Sequence, residues 1–260
     1  MSIRHATTMR QLLIAPSSLS ATLVQVYFPA DNVTLAYYND SFKLHKGDIV
    51  FVDGKFEGKR GLVTEVNHNF KIRASDYKRV IAVADMQVHG EFFAAGSHFV
   101  TFDRDTLPPK KIITWYKAPT KEGDDFISSS DDTAFPLDKL ADMKIDPAVA
   151  ERGYEYYCEN RVQYLCVDGT KGYAIVEGRD NYEVEFTLKD GVVSHLLCPC
   201  FCHYTCKHEF AAMLQLKDLL QTVTTQYADQ YAANNFFAAI CADTLFTFIV
   251  NPRKAGRLTL

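Results

Sequence analysis

A cluster of cysteine and histidine residues near the C-terminus constrains this chain more than any other feature of its sequence. Four of the seven cysteines (Cys198, Cys200, Cys202 and Cys206) lie within nine residues, in the run CPCFCHYTCKHEF. The cysteine count is odd, and the first residues lack the pattern of a signal peptide, which argues against a disulfide framework. Reduced thiols at this density indicate a metal site or redox chemistry.

The spacing within the cluster predicts a site with four ligands. Cys198 and Cys200 stand at positions i and i+2 at the end of a predicted strand, so both thiols point to one side of the chain. After a five-residue loop, Cys206 and His208 open a predicted helix, whose N-terminus favours thiolates. Three sulfurs and one imidazole match a closed, tetrahedral structural zinc site. We therefore expect these four residues to hold one structural Zn²⁺ ion.

Two residues of the intervening loop leave alternatives open. Cys202 or His203 could replace one of the four ligands, although we expect a spare thiol and a solvent-exposed imidazole at these positions. A reduced cluster without any metal is the remaining alternative. The other cysteines, Cys158, Cys166 and Cys241, lie among apolar residues and are expected to be core thiols.

The region around the cluster resembles the SWIM zinc finger, whose pattern is Cys-x-Cys, a variable loop and Cys-x-His. The resemblance covers about residues 150–220 and includes the helix at Arg152–Gly153, the strands that begin at Val162 and in GYAIVEG and NYEVEFTL, and the segment CKHEFAAML. It implies Cys198, Cys200, Cys206 and His208 as the zinc ligands. It also implies that the finger binds DNA or protein. Fingers of this kind often accompany a helicase-type ATPase or a transposase.

The second half of the chain predicts a mixture of helices and antiparallel strands. A helix follows Asp146 as N-cap and Pro147 at the first helical position. Four strands come next (RVQYLCV, GYAIVEG, NYEVEFTL and VVSHLLC), and a helix in CKHEFAAMLQLKDLLQ follows the cluster. We expect QYADQYAANNFFAAICADTLF to form a second helix, broken at Asn234–Asn235, and FTFIVNPRKAGRLTL to form a hairpin.

The first half predicts β structure almost throughout. Six short runs rich in Val, Tyr, Phe and Thr are separated by Gly, Asn and Asp: ATLVQVYF, VTLAYYN, DIVFVDG, RGLVTEV, RVIAVADM and SHFVTF. Strands of this length and spacing are typical of a small barrel or sandwich. Within LHKGDIVFVDGKFEGKRGLVTEV, a strand that begins with Lys-Gly-Asp is followed by a strand that begins with Gly. This pattern weakly resembles SH3-like barrels, but it is common and does not indicate a particular ligand.

Charge divides the chain into three parts. The formal net charge is −4 overall, but residues 1–115 carry 14 basic and 11 acidic side chains, whereas residues 116–150 carry 4 and 8. We predict a β-rich barrel-like domain in residues 1–116, an acidic linker in 117–146 and a zinc-finger domain with C-terminal helices in 147–260. The fold class is therefore α+β, with an N-terminal all-β barrel-like domain and a C-terminal antiparallel sheet with helices.

Basic and aromatic residues of the first half form the best candidate for nucleic-acid contact. The basic residues are Lys55, Lys59, Arg60, Lys71, Arg73, Lys78 and Arg79, interleaved with Phe56, Phe70 and Tyr77. A solvated hairpin surface is the alternative for the residues near Lys55. The overall negative charge argues against a strongly basic nucleic-acid protein, so only a local patch is expected.

Enzyme motifs are absent from the sequence. HEFAA lacks the second histidine of H-E-x-x-H, G-x-S-x-G and G-x-G-x-x-G do not occur, and GKFEGKRG has the wrong spacing for a phosphate-binding loop. The longest apolar stretch, FFAAICADTLFTFIV, has 15 residues and contains Asp243, which is too short and too polar for a membrane span. We expect a cytoplasmic protein without membrane contact, enzymatic activity or a small-molecule substrate.

These observations predict a non-catalytic zinc module whose partner is DNA or a protein. It could serve as an accessory to a helicase-type ATPase on a separate chain. A pure protein-interaction adaptor and a thiol/zinc redox sensor that uses Cys202 are the alternatives. Steep salt dependence of DNA binding would distinguish the nucleic-acid module from the adaptor.

Overall fold

Two antiparallel sheets and five α-helices make up the part of the chain that the structure describes. A computed structural model describes residues 20–29, 31–118, 134–202 and 204–249, with the backbone alone at 248 and 249. The helices are α1 (Pro109–Ile112), α2 (Pro147–Cys158), α3 (Lys207–Gln226), α4 (Ala228–Asn234) and α5 (Ala242–Ile249). The α+β class predicted from the sequence is confirmed.

The first sheet contains five short strands. They are β1 (Thr22–Phe28), β2 (Val33–Asn39), β3 (Ile49–Val52), β4 (Gly61–Asn67) and β5 (Val80–Val83), in the order β2-β1-β4-β3-β5. Val24, Val26 and Phe28 alternate with half-buried residues along β1, as expected for a strand with one face in a core. These side chains pack with Val50, Val63 and other buried residues of the same sheet.

The two edge strands of this sheet meet, so that the sheet closes into a small barrel. The Tyr38 N–H donates to the Lys78 carbonyl at 2.9 Å, and Tyr38 pairs with Arg79 in a parallel bridge. Gly61 allows β4 to approach β1 closely, since a Cβ there would lie 2.2 Å from Val26 Cγ1. The barrel-like arrangement predicted for the N-terminal strands is therefore present in β1 to β5. The sixth predicted strand, SHFVTF, instead belongs to the second sheet.

The second sheet contains eight strands. They are β6 (Phe93–Ala95), β7 (His98–Thr101), β8 (Phe135–Pro136), β9 (Val162–Asp168), β10 (Lys171–Glu177), β11 (Asn181–Lys189), β12 (Val192–Leu197) and β13 (Phe236–Cys241). Their order is β6-β7-β13-β9-β10-β11-β12-β8, and the neighbouring pairs are antiparallel.

Both faces of the second sheet are covered at its centre. Leu165 and Val176 face a core that includes Met213 and Leu216 of α3. The opposite face, with Tyr164 and Ile175 among its residues, packs against a cluster that includes Trp115. Because water reaches neither face, β13 is buried along its whole length and β9 along all but its last residue.

The segment FFAAIC, predicted as part of a helix, is strand β13 instead. It pairs with β7 on one side and with β9 on the other, and all six of its residues are buried. A short, continuously apolar run has no period that separates a buried strand from a helix, so the sequence pattern was ambiguous here. The predicted break at Asn234–Asn235 is correct, because Asn235 ends α4 in the left-handed conformation with φ +47°.

The predicted C-terminal hairpin is also wrong over its described part. Phe246–Ile249 belong to α5, which follows β13 without an intervening residue. The rest of that segment, 250–260, lies outside the described residues. By contrast, the start of α2 is as predicted: Pro147 is its first residue, and the Asp146 carboxylate accepts hydrogen bonds from the backbone N–H groups of Ala148 and Val149.

The boundary between the two sheets does not fall at residue 116, where the first predicted domain ends. The barrel ends with β5 at Val83, and β6 and β7 already belong to the second sheet, because β7 pairs with β13. Inside the predicted linker, β8 adds to the edge of the same sheet beside β12, while residues 119–133 lie outside the described residues. The division of the chain into three domains stays a prediction.

Within the described ranges, none of the helices combines the length and the apolar character that crossing a membrane requires.

We predict that Gly61→Ala destabilises the barrel. The added methyl group would meet the buried Val26 side chain, so overpacking should lower the free energy of unfolding by about 1–3 kcal/mol. Urea denaturation measures the change. Glu65→Ala, at an exposed position of the same strand, is the control and should change stability by less than about 0.5 kcal/mol. Equal stability of the two variants would contradict the close approach at Gly61.

Candidate metal centre

The four predicted ligands come together between a strand and a helix. Cys198 directly follows β12, Cys206 is the N-cap of α3, and His208 is the second residue of that helix. One ligand atom from each of these residues and from Cys200 lies within 4.8 Å of the other three. Cys200 is half-buried and the other three side chains are buried, so the structure forms a compact donor cluster shielded from solvent.

The spacing of the donor atoms fits a tetrahedral ion. His208 Nδ1 lies 3.7 Å from Cys198 Sγ and 3.7 Å from Cys206 Sγ. Zinc–sulfur bonds of about 2.3 Å and zinc–nitrogen bonds of about 2.0 Å at tetrahedral angles place such atoms roughly 3.5 Å apart. The cluster can therefore accept a zinc ion after small side-chain adjustments.

Cys206 both caps α3 and supplies a donor atom. Its Sγ accepts a hydrogen bond from the Glu209 N–H at 3.4 Å, while the Cys206 N–H donates to Glu209 Oε2 at 2.7 Å. This reciprocal pair is a capping box with a thiol in the place usually taken by a hydroxyl. Because the helix begins at this donor, the position of His208 relative to Cys206 is fixed by the first turn of α3.

The surroundings of His208 fix which ring nitrogen faces the sulfurs. Its ring stacks on Tyr182, with centroids 4.0 Å apart and an interplanar angle of 17°. Nδ1 points toward the cysteines, whereas the buried Nε2 has no hydrogen-bond partner among the described residues. Burial, together with the neighbouring Lys207 charge, lowers the pKa of His208 to about 4, so the imidazole is neutral and able to coordinate.

A Cβ at Gly178 would lie 3.2 Å from His208 Nε2 and 2.9 Å from Tyr182 Cε2. A residue without a side chain is therefore needed where the β10–β11 turn covers the histidine. The strand pair GYAIVEG and NYEVEFTL thus contributes to the site through this turn and the stacked tyrosine, and not through a ligand atom.

The thiols favour a bound cation. Burial raises the pKa of Cys200 to about 12. A hydrogen bond with Cys198, together with burial, raises the pKa of Cys206 well above its usual range. Without a positive charge in their midst these thiols stay protonated, and a divalent metal ion supplies the charge that stabilises them as thiolates. The three-sulfur, one-nitrogen donor set is one that zinc occupies in structural sites.

Three residues of the loop between the two ligand pairs have exposed side chains. Cys202 is exposed and is not part of the donor cluster, and His203 lies outside the described residues. Phe201 is 98% exposed and Tyr204 is 87% exposed. These two aromatic residues were not identified from the sequence as functional candidates. Their position between the two ligand pairs, in a loop too short to form a core of its own, was a signal that they could be exposed.

Among the remaining cysteines, Cys166 and Cys241 are buried as expected for core thiols. The same expectation is wrong for Cys158, which is exposed at the last residue of α2. The helical face of α2 at this position borders a surface cavity instead of the core.

The seven basic residues predicted for nucleic-acid contact are all exposed, but they occupy different surroundings. Lys59 pairs with Asp31 at 2.8 Å, and Arg79 pairs with Asp40 at 2.5 Å. Lys59 and Arg60 line a cleft of about 1420 Å³. The Lys78 side chain packs against Gly54, the residue before Lys55, and Lys71 and Arg73 follow β4. Nucleic-acid contact by these residues stays a prediction.

Comparison with known proteins identifies one short similarity. The chain is 36% identical over 69 residues to an uncharacterized protein of Methanocaldococcus jannaschii. The match spans 26% of this chain and only 29% of the length of that relative. No family of known proteins matches the chain, and no solved structure matches it. The four clustered donors are compatible with a zinc finger, but these comparisons do not assign the chain to a family.

We predict that Cys206→Ser removes the metal and destabilises the second half of the chain. The substitution replaces a buried ligand, and metal binding contributes directly to folding in sites of this kind. Elemental analysis of protein purified without added zinc should give about one zinc per chain for the wild type and nearly none for the variant. Thermal melting of the variant should occur at lower temperature.

Cys202→Ser is the matched control, because it removes a thiol of the same loop that lies outside the donor cluster. This variant should keep its zinc and its melting temperature. Equal zinc contents in Cys206→Ser and the wild type would exclude the assigned ligand set. Loss of zinc in Cys202→Ser would exclude it as well.

Proposed function

We propose that the chain is a zinc-stabilised, non-catalytic module of the SWIM type that binds single-stranded nucleic acid through its finger loop. The observation that carries this proposal is the near-complete exposure of Phe201 and Tyr204 in the loop between the ligand pairs. Exposed aromatic faces on a rigid loop are a means by which proteins stack against unpaired bases. The zinc ion would hold both ends of that loop.

The chemistry of the centre favours a structural metal over a catalytic one. These four protein donors would complete a tetrahedral shell around a bound zinc ion and would leave no position for a substrate or a water molecule. The carboxylate of Glu209 accepts a hydrogen bond from the Cys206 backbone, and the residue is 8% exposed, so it is poorly placed to act as a general base. When bound, zinc would supply charge stabilisation for the thiolates and rigidity for the loop.

Cationic side chains stand near the finger without forming a strongly basic field. Lys207 places its ammonium group 4.4 Å from the Tyr156 ring centroid, and Arg161 lies over the same ring at 4.7 Å while it pairs with Glu159. With a net charge of −4, the chain has little long-range attraction for phosphates. Stacking would therefore supply most of the affinity. Binding through the loop would then depend on salt less steeply than the binding expected from the basic patch of the first half.

The resemblance to SWIM fingers adds the setting in which such binding takes place. It supports an accessory role beside a helicase-type ATPase carried by another chain. A DNA or protein partner of that kind, and the cytoplasm as the location, are parts of the same proposal.

We predict that Phe201→Ala combined with Tyr204→Ala weakens binding of a short single-stranded oligonucleotide. Each stacked base that is lost costs about 1–3 kcal/mol, so the loss of both aromatic rings should raise the dissociation constant at least tenfold. Fluorescence anisotropy with single-stranded DNA and RNA of mixed sequence measures the change. Leu35→Ala, which truncates an exposed apolar side chain of the barrel, is the control and should bind as the wild type does.

The outcome also separates the alternatives. A double variant that keeps its zinc and binds as tightly as the wild type would refute the role of the loop. In that case Lys71→Glu with Arg73→Glu tests the predicted basic patch of the first half. A wild-type protein that binds neither DNA nor RNA at low salt would refute the nucleic-acid function and favour the protein-interaction adaptor.

A second candidate function, redox sensing, is favoured by the position of Cys202. Its thiol is exposed, and it lies two residues from Cys200, the least buried of the four predicted ligands. Hydrogen peroxide could oxidise the two thiols to a disulfide, with two molecules of water as the other product, and this would remove one ligand from the metal.

We predict for the sensor that stoichiometric peroxide releases zinc from the wild type and that Cys202→Ser slows the release at least tenfold. A zinc-sensitive dye follows the reaction. Cys158→Ser, which removes another exposed thiol, is the control and should release zinc at the wild-type rate. A wild type that retains its zinc under this treatment would exclude the sensor.

A further inference from the structure

A serine and a histidine form a hydrogen-bonded pair in the β6–β7 hairpin. Ser97 is exposed in the turn, and His98, the first residue of β7, is 1% exposed. Ser97 Oγ lies 3.0 Å from His98 Nδ1, and His98 Nε2 lies 2.8 Å from the carbonyl oxygen of Val162. One imidazole therefore connects a hydroxyl at the surface to the backbone of β9.

The carbonyl of Val162 determines the protonation of this imidazole. A carbonyl oxygen only accepts hydrogen bonds, so His98 Nε2 must carry a proton and donate it. Burial lowers the pKa of His98, which keeps the ring neutral and leaves Nδ1 with a free lone pair. The Ser97 hydroxyl consequently donates to Nδ1. A nucleophile, a base and a group that orients the base are the arrangement used by activated serines.

The serine lies at the edge of a surface cavity. The cavity has a volume of about 370 Å³ and runs between the hairpin, the end of α2 and the middle of α3. Its polar lining includes Asn160, Gln215, Gln221 and Thr222, and also Asp218, whose carboxylate accepts a hydrogen bond from Tyr157. The amide groups and the Thr222 hydroxyl can donate hydrogen bonds to a substrate carbonyl, whereas the Asp218 carboxylate favours substrates without a negative charge. Gln215 follows the ligand His208 by seven residues, or about 10 Å along α3, so this cavity is separate from the metal centre.

We propose that Ser97 is an activated nucleophile that accepts acyl groups from small esters or thioesters bound in this cavity. Ser97 Oγ attacks the carbonyl carbon while its proton passes to His98 Nδ1. The bond to the leaving alcohol or thiol then breaks, and that group takes the proton from His98. In the second half, water attacks the acyl-serine with loss of a proton to Nδ1, and Ser97 Oγ leaves and takes that proton back.

The orienting group limits which substrates react. A backbone carbonyl fixes the ring tautomer as a carboxylate would, but it stabilises the charged imidazolium less. The serine should therefore react with activated acyl groups, such as aryl esters and thioesters, and leave unactivated amides intact. This inference does not rest on the proposed binding function, and it departs from the sequence-based expectation that the chain has no enzymatic activity.

The chain contains its own control for this proposal. Ser194 and His195 repeat the dipeptide in β12, and Ser194 Oγ lies 3.2 Å from His195 Nδ1. The His195 side chain is exposed, and this pair does not line the cavity. The two pairs share their sequence and their Ser–His contact. They differ in the buried, oriented base and in the cavity, so a comparison of Ser97 with Ser194 measures the combined effect of the base and the cavity.

The experiment treats the zinc-loaded full chain with a fluorophosphonate probe and, separately, with p-nitrophenyl acetate. The expected result is covalent labelling of Ser97, identified by peptide mass spectrometry, at a rate about 100-fold above that of Ser194, because a positioned base contributes at least this factor. Ser97→Ala should abolish the labelling and the esterase activity, and Ser194→Ala should leave both unchanged. Zinc content and melting temperature establish that both variants are folded.

Two results would overturn the proposal. One is equal labelling of Ser97 and Ser194 in the wild-type protein, a comparison that requires no variant. The other is esterase activity that persists in Ser97→Ala, which would assign the reaction to another group, such as the Cys158 thiol on the wall of the same cavity. Neither result bears on zinc or oligonucleotide binding, so this proposal and the proposed function fail separately.

Discussion

The hydrogen-bonded start of α3 is the feature on which the second half of the structure depends. Cys206 accepts the Glu209 N–H and donates its own backbone N–H to the Glu209 carboxylate, so the helix begins at a metal-ligand position. The same helix then covers one face of the eight-stranded sheet with Met213, Leu216 and Leu219. A bound ion would connect β12 to α3 at the point where the sheet meets its covering helix, so that the donor cluster and the core reinforce each other.

Strand β13 joins distant parts of the chain into one sheet. It lies between β7, from the first half, and β9, from the second, and all its residues are buried. The Val162 carbonyl that orients His98 belongs to β9, two strands away from β7 in the sheet. Because β13 lies between β7 and β9, it sets the distance between the His98 backbone and the Val162 carbonyl that the imidazole reaches. The N-terminal barrel, by contrast, closes on itself through β2 and β5.

The agreement between sequence and structure was best where local rules apply. The N-cap at Asp146, the strands that lead to the cluster and the helix after it follow from capping residues, turn residues and residue periodicity. Agreement failed for FFAAIC, because a run that is apolar at every position carries no period. It also failed for Cys158, whose exposure depends on what packs against the end of α2.

The sequence by itself determined the donor set, since Cys198, Cys200, Cys206 and His208 are close along the chain and their spacing brings them to one strand–helix junction. It also determined the α+β class and most of the strands. Only the tertiary structure decided where the sheets divide, that Phe201 and Tyr204 have no core to enter, and that Ser97 faces an oriented histidine. The physical reason is that these features depend on contacts between residues far apart in sequence, such as His98 and Val162, which no local pattern records.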